Sequence, residues 1–100
     1  MGDRKYTEEE IARCREAMSK KGPQEALRLI ASGRVIIDLT ADGRDIYVES
    51  FDGRKVRDPD FPDRRMTMAG GWPLFIAGMI DEFGIITAAG RKALAEGEVR

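Results

Sequence analysis

The segments Arg34-Val35-Ile36-Ile37-Asp38-Leu39-Thr40, Ala41-Asp42-Gly43-Arg44 and Asp45-Ile46-Tyr47-Val48-Glu49-Ser50-Phe51 decide the fold of this chain. In the first, Val35, Ile37 and Leu39 alternate with Ile36 and Asp38, the period of two that marks a half-buried strand. Asp42-Gly43 is a strong signal for a two-residue hairpin turn, and the segment from Asp45 to Phe51 reads as the return strand. Counting outward from the turn pairs Leu39 with Ile46, Ile37 with Val48 and Val35 with Ser50. This register gathers apolar side chains on one face, and a slip of one residue would scatter them. The other face should carry Ile36, Tyr47 and Phe51, with Asp38 opposite Tyr47.

Downstream, Asp52-Gly53 offers a second turn into a short strand, Arg54-Lys55-Val56-Arg57. A two-residue loop would set Val56 opposite Glu49 on the outer face. A three-residue loop with a glycine bulge would set it opposite Val48 on the core face. The basic residues of this strand suit an exposed sheet edge, where positive charge discourages pairing with other chains. The stretch from Asp58 to Gly71 contains prolines, paired glycines and several acids, so it reads as an irregular connection, with Met66-Thr67-Met68 able to add a brief strand.

Helices are expected on both sides of the hairpin. Thr7-Glu8-Glu9-Glu10 has the spacing of a capping box and opens a helix to about Lys21. Ile11, Cys14, Ala17 and Met18 form its apolar face, and Glu9/Arg13 and Glu16/Lys20 are candidate ion pairs. Gly22-Pro23 should stop it and start a second helix through Ala26, Leu27, Leu29 and Ile30 to Gly33, packed as an antiparallel hairpin. Trp72 to Gly84 is the most apolar stretch. With Pro73 at its start and Gly84 at its end it predicts a central helix burying Phe75, Ile76, Met79, Ile80 and Phe83. Thr87 should cap a last helix to about Glu96. Gly90 inside it points to close approach by another element, because glycine there otherwise costs about 1 kcal/mol. Residues 97–100 should fray. The expected class is α+β: a two- to three-stranded antiparallel meander packed against helices, order ααβββαα, in a single domain spanning 1–100.

Composition narrows function mainly by exclusion. With 42% hydrophobic and 35% charged residues the chain is suited to a packed core. Lys and Arg (17) nearly balance Asp and Glu (18), which argues against a strong field toward nucleic acid or anionic membrane. Cys14 is the lone cysteine and histidine is absent, removing disulfides, the commonest metal ligand and the commonest general base. Asp52, Asp58, Asp60 and Asp63 lack the offsets of a calcium loop and read as turn formers. Asp38, Glu49, Asp81 and Glu82 could supply paired carboxylates, yet no nucleophile motif or phosphate-binding glycine loop accompanies them. Cys14 sits on an apolar helix face, where an inert core thiol is expected. The polar N-terminus is unlike a signal peptide, and no apolar run is long enough to span a bilayer. No enzyme, cofactor or metal is expected, and the location should be cytoplasmic.

The segment Ile86-Thr87-x-x-Gly90-Arg91-x-x-Leu94 resembles the one that follows the wing in bacterial winged-helix regulators, where a capping threonine opens a helix. The likeness stops there: no recognition helix leads into a wing hairpin just before Thr87.

The basic concentration Arg54, Lys55, Arg57, Arg64 and Arg65, with Tyr47, Phe51 and Phe61, is the candidate partner-binding region. Arginine and aromatics are enriched at protein interfaces, and the interspersed aspartates oppose phosphate. The expectation is a small interaction protein of the inhibitor, immunity or adaptor kind familiar from bacteria and phage, binding a protein partner or a second copy of itself through the outer sheet face. The alternative is a nucleic-acid-binding regulator that uses the 54–65 segment with stacked bases.

Overall fold

The structure, a computed structural model, describes residues 6–98. The polar residues 1–5 and the last two positions of the expected frayed tail lie outside it. The described residues form an α+β unit in the order α1 (Glu8–Ala17), α2 (Lys21–Ser32), β1 (Val35–Leu39), β2 (Ile46–Phe51), β3 (Arg54–Lys55), β4 (Met66–Thr67) and α3 (Ala88–Glu98). All strand pairs are antiparallel. β2 pairs with β1 along one edge and with β3 and then β4 along the other.

The hairpin holds the expected register at Leu39↔Ile46, Asp38↔Tyr47 and Ile37↔Val48, but not at Val35. A bulge between Ile36 and Ile37 sets Ile36 against Ser50 and Val35 against Phe51, with Glu49 as the extra residue of the partner strand. One added residue shifts the alternation of the bulged strand. Phe51 therefore leaves the outer face and packs against the core, beside Val35 and Val48. The connection is also wider than a two-residue turn. The Thr40 carbonyl accepts from Gly43 N–H, the Thr40 N–H donates to Asp45, and Asp42 Oδ1 accepts from the Thr40 hydroxyl and the Arg44 N–H.

At the second turn, Asp52 and Gly53 both have positive φ, 52° and 79°, the signature of a two-residue type I′ turn. The Val56 N–H donates to Glu49 as that loop requires, yet Val56 packs against the core, because the partner it faces is the bulge residue. β4 forms at Met66-Thr67, and Met68 is buried.

The stretch from Trp72 to Gly84 is not a helix. Its single helical turn ends in a Schellman motif, with Gly78 N–H donating to Phe75 and Met79 N–H to Leu74, and Gly78 at φ 80°. The stopping glycine is thus Gly78, not Gly84. The chain then runs into an antiparallel bridge, Ile80↔Ile86, around a turn in which Asp81 Oδ1 accepts from the Phe83 and Ile85 N–H groups. Leu74, Ala77 and Ile80 are buried, with Phe75, Ile76 and Met79 packed against them. Phe83, expected in the core, is 75% exposed, since breaking the helical period at Gly78 turns it away.

Helix boundaries shift as well. α1 stops at Ala17, so Lys20 lies beyond it, and neither Glu16/Lys20 nor Glu9/Arg13 closes to an ion pair. Thr7 Oγ1 accepts from Glu10 N–H as a capping threonine should, while the Glu10 carboxylate is held instead by Arg44. Gly22 and Pro23 fall in the first turn of α2, where the missing N–H of proline does no harm. The close helical neighbour of α2 is α3, rather than α1 as an antiparallel hairpin would demand. In α3, Thr87 caps through Gly90 N–H and donates its hydroxyl to Gly78 C=O. Helix α3 continues through Gly97 to Glu98. A Cβ on Gly90 would stand 2.3 Å from the Met79 carbonyl oxygen, which is the close approach its place in the helix implied. Leu27, Ile46, Leu74 and Ile80 are among the fully buried side chains of the core between helices and sheet.

Candidate interaction surface

The sheet sorts the predicted site residues onto two faces. On the outer face, Ile36 and Asp38 of β1 lie beside Tyr47 of β2. Arg65, just before β4, lays its guanidinium over the Tyr47 ring, 4.7 Å from the centroid, and ion-pairs with Asp38. Because β4 pairs Thr67 with Tyr47, the residue two before Thr67 is delivered to this face. Ile36 is 56% exposed, Asp38 and Arg65 are open to solvent, and no described helix covers them.

Phe61 and Arg64 stand at the tip of the 58–65 loop. Asp58 N–H donates to Arg64 C=O, and Asp58 Oδ1 accepts from the Asp60 and Phe61 N–H groups. The loop is therefore a closed, self-bonded excursion from the sheet edge. It holds Phe61 54% exposed, with the Arg64 guanidinium 4.7 Å from its ring centroid. Two arginine-on-aromatic stacks thus stand on adjoining elements, and such stacks are stronger where water is excluded.

The remaining predicted residues do not join them. Phe51 is on the core side, under Arg34, whose guanidinium lies 5.0 Å from the ring and binds Asp52 through two 3.0 Å hydrogen bonds. That fork holds the Asp52 carboxyl below its ordinary range and raises Arg34. Arg54 and Lys55 are exposed on β3, and Arg57 bonds the Val56 carbonyl. None of Arg54, Lys55, Arg57 and Arg64 has an ion-pair partner among the described residues.

Two features escaped sequence reasoning. The 81–84 turn sits against β1, since a Cβ on Gly84 would be 2.8 Å from Ile37 Cγ1. Phe83 in this turn and Ile85 just after it are both exposed. The other is the clamp at the hairpin turn, where Arg44 binds Glu10 and lies 5.1 Å from the Tyr6 centroid. The Arg44 hydrogen bonds are the main reason the Glu10 carboxyl is lowered, and the Thr40 hydroxyl is the main reason Asp42 is lowered.

Cys14 is buried, and desolvation raises its thiol pKa, the reverse of activation. Among the described residues no three metal-ligating side chains cluster, and no helix is long and apolar enough to cross a membrane. No known protein family, curated protein or solved structure matches this chain.

Proposed function

We propose that the chain is a small non-catalytic binding domain that engages a protein partner through the outer face of its sheet. The observation that carries this reading is the uncovered platform of Arg65 stacked on Tyr47 and tied to Asp38, with Ile36 exposed beside it. An arginine already oriented by an aromatic ring and a carboxylate loses little further freedom on binding. Arginine and tyrosine are also the residue types that dominate interface energetics. Phe61 with Arg64, the exposed arginine–aromatic stack of the 58–65 loop, would extend the contact. A cytoplasmic location fits the unpaired Cys14, and inhibitor, immunity or adaptor roles all suit a domain of this build.

The alternative, nucleic-acid binding, draws on the ion-pair-free Arg54, Lys55, Arg57 and Arg64, but Asp58, Asp60 and Asp63 lie among them. Affinity purification from the native host, with and without nuclease, identifies what is retained, and the affinity of that molecule is then measured. For a protein partner, Tyr47→Ala and Arg65→Ala should each weaken binding by upwards of about 2 kcal/mol, with shallow salt dependence. Phe51→Ala should act on stability instead. Retention of nucleic acid alone, with a salt slope that drops by about one for each of the four basic residues removed, would overturn the proposal.

A further inference from the structure

On the helical side of the molecule, α1, α2 and α3 enclose an open cavity of about 460 Å3. Arg15 reaches it from α1, Lys21 and Arg28 from α2, and the single carboxylate on its wall is Glu96 of α3. In a chain whose charges balance at 17 basic to 18 acidic residues, this is a local excess of positive charge. Lys21 and Arg28 lie on one stripe of α2 with Gln24 between them, about 10 Å apart along the axis. Elsewhere Arg34, Arg44 and Arg65 are each matched to a carboxylate. The side chains of Arg15, Lys21 and Arg28 have no ion-pair or hydrogen-bond partner among the described residues. Met18, Met79 and Ala93 supply an apolar portion of the lining.

Like charges gathered around one hollow repel one another, and an anion placed among them relieves that repulsion. The volume is that of a small-molecule site, apolar in part with a few polar groups that fix orientation. Guanidinium forks bind phosphate or carboxylate oxygens in pairs, and the lysine adds a mobile point charge. We propose that this cavity binds a small, multiply charged organic anion, either a phosphate monoester or a polycarboxylate. Its charged groups would lie between Arg15, Lys21 and Arg28, and its carbon framework against Met18, Met79 and Ala93. The site is separate from the outer sheet face and does not depend on the function proposed for that face.

The test is an amide NMR titration of the whole protein with adenosine monophosphate, citrate and, as the uncharged control, adenosine. Adenosine monophosphate or citrate should shift the amides of Arg15, Lys21 and Gly97 saturably, and adenosine should not. A response to one anion alone names the class, and a response to both places the selectivity in charge. Arg28→Gln should weaken binding about threefold to fivefold, the most expected of one exposed charge pair. Glu96→Gln should tighten it by a similar factor, because it removes the opposing charge. Melting curves of both variants confirm that the fold is kept. Three results would overturn the proposal: no shift with either anion at millimolar concentration, shifts spread evenly over all surface lysines and arginines, or Glu96→Gln and Arg28→Gln moving the affinity in the same direction.

Discussion

Gly90 lies within α3, where alanine would ordinarily be preferred by about 1 kcal/mol. Here a Cβ would stand 2.3 Å from the Met79 carbonyl oxygen and 2.7 Å from Ile86 Cγ1. The nearer atom is backbone and cannot rotate aside. α3 would have to slide away from the 78–86 segment, loosening the Thr87 hydroxyl bond to Gly78 at 2.6 Å and the Thr87 N–H bond to Met79 at 2.9 Å. Overpacking costs about 1–3 kcal/mol and a weakened hydrogen bond about 1 kcal/mol. Subtracting the helical preference leaves Gly90→Ala destabilising by about 1–3 kcal/mol. In a domain of this size that lowers Tm by roughly 5–20 °C. Thermal and urea melting followed by circular dichroism measure it, with Ala89→Gly on the exposed side of the same helix as a control for propensity alone. A Gly90→Ala protein that melts at or above the wild-type temperature would refute the close packing of α3 on the 78–86 segment.

The single-turn reading of residues 72–84 makes a contrasting pair. Leu74→Ala should cost about 2–5 kcal/mol, while Phe83→Ala should leave Tm nearly unchanged, and the opposite ranking in melting experiments would restore a continuous helix. Acid sensitivity follows from Glu10, Asp42 and Asp52, whose folded pKa values are lowered from ordinary values of 4.5, 3.8 and 3.8. A carboxylate depressed on folding contributes fully above its unfolded pKa and loses that contribution as pH falls through the lower folded value. Stability should therefore decline below about pH 4.5, and Arg44→Gln should flatten the part due to Glu10. A Tm that stays level from neutral pH to about pH 3 would contradict these assignments.

The strands and their first pairings could be read from sequence because period-two alternation and Asp-Gly turns are local signals. The bulge was present in the same letters. Ile46 and Val48 keep the alternation, but the next apolar residue is Phe51 rather than Ser50, and one extra residue at Glu49 restores it to the core. The central helix failed for a related reason. Its apolar spacing tolerated a helix, yet Gly78 in the middle was a stop signal equal to Gly84, and a Schellman turn there leaves the next residues free to form a bridge. Gly90 was legible because its cost in a helix demanded a close neighbour. The Arg65–Tyr47–Asp38 platform was only half legible. The Asp38–Tyr47 pairing follows from register, but the arrival of Arg65 depends on β4 returning to the same edge of β2. No local pattern encodes that return.

That return has a consequence for how the protein could change over generations. β3 and β4 occupy successive positions on one edge of β2, so the sheet is complete without regard to the length of chain looping out between them. The entropy of closing a loop rises slowly, by about 0.6 kcal/mol for each doubling of its length. The segment carrying Phe61 and Arg64 is thus free to gain or lose residues while its two ends stay anchored. Related chains would be expected to vary most in length here, and a foreign peptide grafted between Pro59 and Asp63 should be displayed without disturbing the domain beneath it.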